Sequence, residues 1–373
     1  MKKICFVTAA RSEYGLLKWI MRDVLASGKF QFQLIVTGSH LLKEQGHTID
    51  HILDDGFVVD EIVDEVIDTS SLEMVADTMG RIAQGFAKAF AKLEPDYIVV
   101  LGDRYELLPI CNTAFVMRIP IIHLSGGDVT EGAIDDGIRN AVTMLADIHF
   151  PGTEESAKNI IRMRGNSDNV WNVGEPGLDS FYREKMLTRT ELANNLGLIE
   201  NSRWTLMTYH PETKKSLEHN LKVVQNCISA LLKETDIQTV ATYANADYGG
   251  QQINEYLERV ATQYPDRIKV IPSLGHARYL SFMHQVDFVL GNSSSGIVEA
   301  PFLNIPVINI GDRQKGRHLC GNVTQCTPET IDILNTVHKM ATSPKNENTS
   351  DLNYWGDGHT SEKVVTILEK IVQ

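Results

Sequence analysis

The strongest constraint on the fold is an alternation of short apolar runs with longer amphipathic segments, which occurs in two series along the chain. An uninterrupted apolar run is typical of a strand buried on both faces, and the amphipathic segments between such runs are typical of covering helices. The pattern therefore predicts an α/β protein with two Rossmann-like, doubly wound domains in tandem, each built on a parallel sheet.

The first series comprises strands predicted at residues 4–8, 32–37, 97–101, 119–124, 148–151 and 170–173. Its predicted helices span residues 14–26, 71–93, 106–117, 137–145 and 154–163. The second series has strands predicted at residues 205–208, 238–242, 268–271, 288–291 and 307–310, with helices at 217–233, 251–263 and 278–285.

A turn-rich segment, Gly174-Glu175-Pro176-Gly177, separates the two series and predicts a domain boundary. We expect an N-terminal domain over residues 1–175 and a C-terminal domain over residues 176–359, with a polar loop at 343–350. An apolar stripe predicts a last helix, within residues 360–373, that packs back on the N-terminal domain. Because open parallel sheets bind ligands at the carboxyl ends of their strands, we expect a central cleft between the domains.

Composition excludes several classes of function. The chain has 373 residues, which fits two domains, and its formal net charge of −13 argues against nucleic acid as a partner. The first apolar run ends at Arg11 and indicates a strand rather than a signal peptide, and no run is long enough to cross a bilayer. We expect a cytoplasmic protein with no membrane partner. Five cysteines without C-x-x-C spacing predict buried free thiols, and nothing in the sequence requires a metal or a cofactor.

The most specific local pattern is a serine turn, Gly291-Asn292-Ser293-Ser294-Ser295-Gly296, which follows a predicted strand and precedes a predicted helix. Unpaired amides at the start of a helix favour phosphate, and small residues allow close approach. Glu299 lies one turn further on, where a carboxylate can accept hydrogen bonds from ribose hydroxyls. An ordinary serine N-cap is an equal alternative on this pattern alone.

Two strand ends of the first domain carry charged residues. Arg11 follows the first strand, where an arginine can reach a diphosphate. Asp103 and Arg104 follow the strand at 97–101, and Asp103 is placed where a catalytic carboxylate is expected. Helix capping is an equally weighted alternative at both ends.

An acidic loop within residues 123–139 follows another strand and holds Asp128, Glu131, Asp135 and Asp136. Crowded carboxylates repel, so one of them can hold a proton for transfer. A calcium site is the competing interpretation, although the spacing is not that of an EF-hand loop. A solvated loop without function is the third.

The second domain also places polar residues at its strand ends. His210 follows the strand at 205–208, and Asn245 follows the strand at 238–242. Arg313 follows the strand at 307–310. Each is a weak signal alone, but chance capping does not predict polar residues at so many strand ends.

Taken in order, these motifs resemble the hydrolysing UDP-N-acetylglucosamine 2-epimerases, bacterial enzymes of sialic and related nonulosonic acid synthesis. The resemblance covers nearly the whole chain. It implies a glycosyltransferase-B-like fold and, commonly, a homo-oligomer such as a dimer or tetramer. The matching segments are Arg11-Ser12-Glu13-Tyr14, Gly102-Asp103-Arg104, Gly126-Gly127-Asp128, Ile134-Asp135-Asp136, His210-Pro211, the serine turn and Gly311-Asp312-Arg313-Gln314.

The resemblance also implies the reaction. The proton on carbon 2 of a UDP-linked sugar is removed as the bond from carbon 1 to UDP breaks, which forms a 2-acetamidoglucal. Water then adds, a proton reaches carbon 2 from the opposite face, and N-acetylmannosamine and UDP are released. Such a reaction needs two acid–base groups and donors that stabilise the leaving diphosphate.

Residue by residue, the resemblance assigns the following roles. Asp103 and Asp135 match catalytic carboxylates, and His210 matches a histidine near the diphosphate. Arg104 and Arg139 lie beside catalytic positions, and we expect both to contact the substrate. The matched nucleotide contacts are Arg11, Asn245, Ser293, Ser294, Ser295, Gly296, Glu299 and Arg313.

One position departs from the family pattern. Many relatives have glutamate directly before the Gly-Gly pair, whereas this chain has Ser125. Serine cannot serve as the same general base, so Asp128 or Glu131 is expected to supply that carboxylate. The departure leaves the sugar open, because related enzymes of legionaminic acid pathways act on a UDP- or GDP-linked 2,4-diacetamido-trideoxyhexose. A glycosyltransferase of the same fold, a non-hydrolysing epimerase and an inactive sugar-nucleotide sensor are the rival hypotheses.

Overall fold

A computed structural model describes residues 1–43, 46–65, 68, 70–131, 133–245, 247–342, 351 and 353–372. The loop predicted at 343–350 lies outside the described residues. Within them, the strands are β1 (Lys3–Thr8), β2 (Gln31–Thr37), β3 (Glu61–Val63), β4 (Tyr97–Leu101), β5 (Ile121–Leu124), β6 (Ile148–Phe150), β7 (Arg203–Thr208), β8 (Ile237–Thr242), β9 (Ile268–Ile271), β10 (Phe288–Gly291), β11 (Val307–Ile310) and β12 (Val323–Cys326).

The α-helices of the described residues fall between and after these strands. They are α1 (Arg11–Ser27), α2 (Ile49–Asp54), α3 (Leu72–Leu93), α4 (Leu107–Val116), α5 (Asp135–Leu145), α6 (Glu154–Arg164), α7 (Ser180–Arg183), α8 (Arg189–Leu196), α9 (Leu217–Lys233), α10 (Gly250–Gln263), α11 (His276–Gln285), α12 (Glu299–Phe302), α13 (Thr330–Thr342) and α14 (Thr360–Ile371). Short 3-10 turns cover Gly38–Leu41, Pro176–Asp179 and Ser294–Gly296.

The N-terminal sheet has the strand order β3-β2-β1-β4-β5-β6, and every pair is parallel. Side chains alternate across it, because Ile4 and Phe6 enter one apolar core while Cys5 and Val7 enter another. Both faces are therefore covered by helices. The chain winds from β1 to one edge and then from β4 to the other, so the order reverses between β1 and β4.

The C-terminal sheet has the order β12-β11-β10-β7-β8-β9, again wholly parallel. Leu206 and Met207 of β7 face opposite cores. Numbered from β7, this is the strand order of the N-terminal sheet, with the reversal between β7 and β10. The predicted α/β architecture of two parallel, doubly wound sheets is confirmed.

The strand predictions were wrong at three places. Residues 170–173 form only an isolated bridge, in which Val170 pairs with His149 beside β6. The sixth strand of the N-terminal sheet is instead β3, and β12 completes the C-terminal sheet. Both missed strands lie at sheet edges. They are three and four residues long and only their last residues are buried, so they lack the buried apolar run that marks a central strand.

The structure divides into two compact units. One comprises Met1–Val129, Ile134–Tyr182 and the chain from Trp355 onward, and the other comprises Thr130–Ala133 and Arg183–Tyr354. The N-terminal unit thus continues past the boundary predicted at residue 175. The reason is local: Asp179 accepts hydrogen bonds from the amides of Thr360 and Ser361 at 2.8 and 2.7 Å. This contact ties the 3-10 turn to the start of α14, which packs against α1.

Two further features of the described residues bear on the composition argument. All five cysteines are buried and free. Within the described part of the chain, no helix combines the length and the apolar character needed to cross a membrane.

Candidate active site

At the switch point of the N-terminal sheet, two charged segments lie at the carboxyl ends of neighbouring strands. Arg11 and Glu13 follow β1, and Asp103 and Arg104 follow β4, the neighbouring strand. In doubly wound sheets, the crevice at the carboxyl ends of these two strands is the usual ligand site. The structure therefore brings these sequence-predicted residues to adjacent strand ends.

Asp103 is held by an arginine from α5. Arg139 is fully buried, and its Nη2 donates a hydrogen bond to Asp103 Oδ2. Its Nη1 donates to the carbonyl oxygen of Asp128 at 2.8 Å and lies 3.7 Å from Asp136 Oδ1. The Asp103 side chain keeps 24% of its surface exposed. Because Arg139 has no exposed surface, its geometry favours orienting Asp103 over the predicted contact with substrate.

Arg104 forms an ion pair with Glu106. Its guanidinium donates to Glu106 Oε1 at 3.0 Å, and the Glu106 side chain is completely buried. Glu13 is also buried, and its Oε2 accepts from the amide of Ala9 at 2.8 Å. Burial raises the pKa of Glu13 to about 7, although the nearby Arg104 opposes the shift. Arg104 and Glu13 therefore both have hydrogen-bond partners within the N-terminal unit.

The acidic loop separates into carboxylates with different surroundings. Asp128 is buried, and its Oδ1 accepts from the Ser156 hydroxyl at 2.5 Å. Glu131 is 55% exposed and forms an ion pair with Lys315 at 2.9 Å. Asp135 is the first residue of α5, one turn before Arg139. Of the predicted carboxylates in this loop, Asp135 and Asp136 share a helix with Arg139, the arginine that holds Asp103.

At the switch point of the C-terminal sheet, Asn292 joins β10 to the residues that follow β7; it belongs to the predicted serine turn, but we assigned its side chain no separate role. Asn292 Oδ1 accepts from the amide of His210 at 2.7 Å, and its Nδ2 donates to the carbonyl oxygen of His210 at 2.9 Å. Its own amide donates to the Thr208 carbonyl oxygen at 3.1 Å. A Cβ atom at Gly291 would lie 1.9 Å from that oxygen, so glycine is required for this approach.

The imidazole of His210 is oriented by a backbone amide. The amide of Asn245 donates to His210 Nδ1 at 3.0 Å, which makes Nδ1 the acceptor of the neutral ring. The ring proton is then carried by Nε2, so Nε2 can act as a donor. His210 and Asn245 were both predicted, and the structure brings them together through this hydrogen bond.

The serine turn differs from the predicted helix start. Residues Ser294–Gly296 form a 3-10 turn, and α12 is only four residues long. Asn304, with a φ of 54°, ends the segment soon afterwards. A long helix dipole is therefore absent here, and any anion would depend on local amides and hydroxyls. Ser293 caps the turn by accepting from the amide of Ser295 at 3.4 Å.

Each serine hydroxyl has its own surroundings. The Ser295 hydroxyl lies 2.6 Å from the Tyr279 hydroxyl of α11, and the Ser294 side chain is exposed beside the buried Gly296. Arg313 Nη1 and Gln314 Nε2 donate to the carbonyl oxygen of Asn292 at 3.2 and 2.9 Å. Arg313 is thus brought to the serine turn, as predicted, but through a backbone contact that the sequence does not reveal.

Glu299 lies behind the turn. It is 7% exposed, and burial raises its pKa to about 7, with Arg317 opposing the shift. Glu212 is another buried carboxyl, and its Oε1 accepts from the amide of Asp312 at 3.0 Å. A signal for both residues was present in the sequence, since Asn292 lies in the serine turn and Glu212 lies two residues after His210, but no pattern indicated which backbone groups they would bind.

No metal centre is built by the residues that the structure describes, since no three of their histidine, cysteine or acidic side chains converge on one point.

The fold defines the class of protein. A crystal structure of the UDP-N-acetylglucosamine 2-epimerase of Neisseria meningitidis, bound to UDP-N-acetylglucosamine, matches with a TM-score of 0.80 at 19% identity. The match covers 99% of this chain and all of that one. The architecture is therefore the glycosyltransferase-B-like fold of such enzymes.

The sequence comparisons define the family. The family model described as UDP-N-acetylglucosamine 2-epimerase matches residues 22–369, and the chain belongs to this family. The chain is 34% identical to the GDP/UDP-N,N'-diacetylbacillosamine 2-epimerase (hydrolyzing) of Campylobacter jejuni, over 89% of this chain and 86% of that protein. It is 32% identical to the UDP-N,N'-diacetylbacillosamine 2-epimerase (hydrolyzing) of Legionella pneumophila, over 100% of this chain and 96% of that protein. The family resemblance drawn from the motifs is confirmed.

Proposed function

We propose that this protein is a hydrolysing 2-epimerase that acts on UDP-linked N,N'-diacetylbacillosamine, a 2,4-diacetamido-trideoxyhexose. It releases UDP and the free sugar with inverted carbon 2, as a step toward a nonulosonic acid. The observation that carries the proposal is the similarity, over 89% and 100% of this chain, to two relatives named for this sugar.

In this proposal the N-terminal unit performs the proton transfers. Asp103 combines an exposed carboxylate surface with a buried cation that orients it, as an acid–base group requires. Asp135 starts the same helix that carries Arg139. Elimination moves the carbon 2 proton to a base of the N-terminal unit and forms the carbon 1–carbon 2 double bond as the bond to UDP breaks. Water then adds at carbon 1, and carbon 2 is protonated from the opposite face.

The C-terminal unit holds the nucleotide. Nε2 of His210, the Arg313 guanidinium and the serine turn supply the donors for a diphosphate whose charge increases as it leaves. Glu299 accepts hydrogen bonds from ribose. Because α12 is one turn long, the stabilisation comes from these side chains and nearby amides rather than from a helix dipole.

UDP-N-acetylglucosamine is the second candidate substrate, and the description of the matching family favours it. It shares the 2-acetamido group and the diphosphate, so the same proton transfers apply. It carries hydroxyls at carbons 4 and 6, where the bacillosamine sugar carries an acetamido group and a methyl group. The GDP-linked diacetamido sugar is a third, because the Campylobacter relative is named for both nucleotides.

The test is an incubation with each of the three sugar nucleotides in deuterium oxide, followed by proton NMR. We expect the UDP-linked diacetamido sugar to give free sugar, UDP and deuterium at carbon 2, with the highest kcat/KM. The Asp103→Asn variant is the matched control and gives none of these. Intact sugar nucleotides that interconvert at carbon 2, or UDP binding without turnover, would reject the proposal; faster turnover of UDP-N-acetylglucosamine would correct the sugar alone.

A further inference from the structure

Ser125 has a backbone conformation that is rare for serine, and its hydroxyl donates a hydrogen bond to a carboxylate. It follows β5 directly and has a φ of 56°, a left-handed conformation that non-glycine residues seldom adopt. Its amide donates to the carbonyl oxygen of Phe150 at 3.0 Å. Its hydroxyl donates to Glu175 Oε2 at 2.8 Å. Conformations of this kind cluster at active sites, and here the hydroxyl is held in one direction.

Glu175 is a buried carboxylate for which the chain leaves space. The residue is 7% exposed, and its amide donates to the carbonyl oxygen of Trp355 at 2.7 Å. A Cβ atom at Gly152 would lie 1.9 Å from Glu175 Oε1. Only glycine at position 152 therefore allows the carboxylate to occupy this place behind Ser125.

Ser125 and Asp103 both lie at the carboxyl end of the N-terminal sheet. Leu101 of β4 pairs with Leu124 of β5, and the amide of Gly102 donates to the Leu124 carbonyl oxygen at 3.0 Å. Asp103 and Ser125 thus leave neighbouring strands, which lie about 4.8 Å apart in a sheet. Ser125 as a residue is half-buried, so it is not closed off from solvent.

The two carboxylates that the sequence suggested in place of the family's glutamate have other partners. Asp128 accepts the Ser156 hydroxyl, and its backbone carbonyl accepts from Arg139. Glu131 pairs with Lys315 and is assigned to the C-terminal unit. Glu175 is the carboxylate that contacts residue 125 itself.

We infer that Ser125 and Glu175 together replace the single glutamate, with Ser125 contacting the sugar and Glu175 acting through it as a positioning residue and proton acceptor. The inference rests on the proposed function. In the elimination, the carbon 2 proton bonds to Ser125 Oγ while the hydroxyl proton of Ser125 passes to Glu175 Oε2. The carbon–hydrogen electron pair forms the double bond, and the pair of the carbon 1–oxygen bond leaves with UDP. The proton on Glu175 returns to solvent through Ser125 after product release.

The test compares Ser125→Ala, Glu175→Gln, the double variant and a Ser125→Glu, Glu175→Gln variant. We expect each single change to lower kcat about 100-fold, with KM and the UDP Kd changed less than about twofold. The double variant should be no slower than either single, because the residues act as a unit. The Ser125→Glu, Glu175→Gln variant should recover at least about tenfold in kcat, since it restores a direct carboxylate.

A pH profile separates this role from a structural one. Glutamine still accepts the Ser125 hydroxyl, so Glu175→Gln keeps the contact but should lose the acidic limb of the kcat profile. Glu155→Gln, an exposed change on α6, is the matched control and should keep the wild-type profile. If Glu175→Gln folds poorly, the pH profile of Ser125→Ala, which keeps Glu175, decides the question.

Three outcomes overturn the inference. The first is an acidic limb of the kcat profile that is unchanged in Glu175→Gln, or in Ser125→Ala if Glu175→Gln folds poorly. The second is a loss in kcat for the double variant that equals the product of the two single losses. The third is no recovery of kcat when glutamate is placed at position 125. With an active wild-type enzyme, any of these rejects the relay and leaves the epimerase function intact. A wild-type enzyme that turns over none of the three sugar nucleotides rejects both.

Discussion

The two units share one strand order, but they differ in the residues that lie at the point where that order reverses. Between β1 and β4 the N-terminal unit holds charged groups, with Arg139 on Asp103 and Arg104 on Glu106. Between β7 and β10 the C-terminal unit holds a network of backbone and amide groups around Asn292, joined by the Arg313 guanidinium. The same topology therefore decides where the strand-end residues lie in each unit, while the side chains decide which chemistry is available there.

The difference has a physical consequence. Buried ion pairs hold a carboxylate in a defined state and direction, which suits proton transfer, but removal of one partner leaves a costly charge. A network of amides and carbonyls that also positions one guanidinium supplies directed donors, which suits recognition of a diphosphate. Proton transfer should depend on the N-terminal unit and nucleotide affinity on the C-terminal unit, and four predictions test that division.

The largest effect is expected for Asp103→Asn. The change keeps the shape but removes proton transfer, so kcat should fall about 1,000-fold. The UDP Kd should change less than about twofold, because the nucleotide contacts belong to the other unit. Steady-state kinetics and calorimetric titration with UDP measure the two quantities. Asp136→Asn is the control, because it removes a carboxylate 3.7 Å from Arg139 Nη1 and leaves Asp103 unchanged; equal losses for both aspartates would contradict the assignment.

Asn292→Ala should have the next largest effect, on binding and stability together. It strips two hydrogen bonds from the backbone of His210 and leaves buried polar groups unpaired, at a cost of about 3 kcal/mol in the free energy of unfolding. We expect the UDP Kd to rise at least about tenfold. Asn322→Ala removes another buried asparagine, which donates to the Ile305 carbonyl oxygen at 2.6 Å. That control should destabilise the protein without weakening UDP binding; a parallel loss of affinity would remove Asn292 from the site.

The third prediction uses one buried glutamate in each unit. The folded-state pKa values of Glu13 and Glu299 are both about 7, above the usual 4.5. Such a group contributes stability below pH 4.5 and loses it as pH rises through 7, because the native state binds the proton more tightly. Glu13→Gln should therefore raise the unfolding free energy by as much as about 3 kcal/mol at pH 8.

The gain for Glu13→Gln should shrink toward zero as the pH is lowered to 4.5, and Glu299→Gln should behave in the same way. Denaturant unfolding at a series of pH values provides the measurement. If only one variant shows the pH-dependent gain, the two units differ in their buried carboxyls as well as in their site chemistry. A constant difference at all pH values would show that neither glutamate titrates with folding.

The smallest effect is expected for Glu131→Gln. Glu131 is exposed and paired with Lys315, so the ion pair should matter little for stability. We expect kcat to change less than about twofold and the melting temperature to stay the same. A large loss of kcat would return Glu131 to the catalytic group and weaken the case for Glu175.

The sequence predicted most of the fold because its signals are local. Central strands such as β4 and β10 are uninterrupted apolar runs, and their bounds match the predicted residues. The edge strands β3 and β12 escaped because half their surface faces solvent, which removes the run. The helix predicted after the serine turn shrank to α12, since Asn304 adopts a left-handed conformation that apolar periodicity does not reveal.

Some of the site was visible for the same reason, and some was not. A polar residue directly after an apolar run, such as Asp103 or His210, can be placed at a strand end from its position alone. Glu175 lies within the predicted turn at residues 174–177, which we interpreted as a domain boundary. Its contact with Ser125 joins residues fifty positions apart, and no local pattern reports such a pairing.

The sequence by itself determined the class, the family and the list of polar residues at the strand ends, because each of these depends on order along the chain. The tertiary structure decided which of those residues act together. It buried Arg139 under Asp103, turned Arg104 onto Glu106, paired Asn292 with His210 and set Glu175 behind Ser125. The physical reason is that hydrogen bonds and ion pairs depend on distances of about 3 Å in space, which packing sets and sequence separation does not.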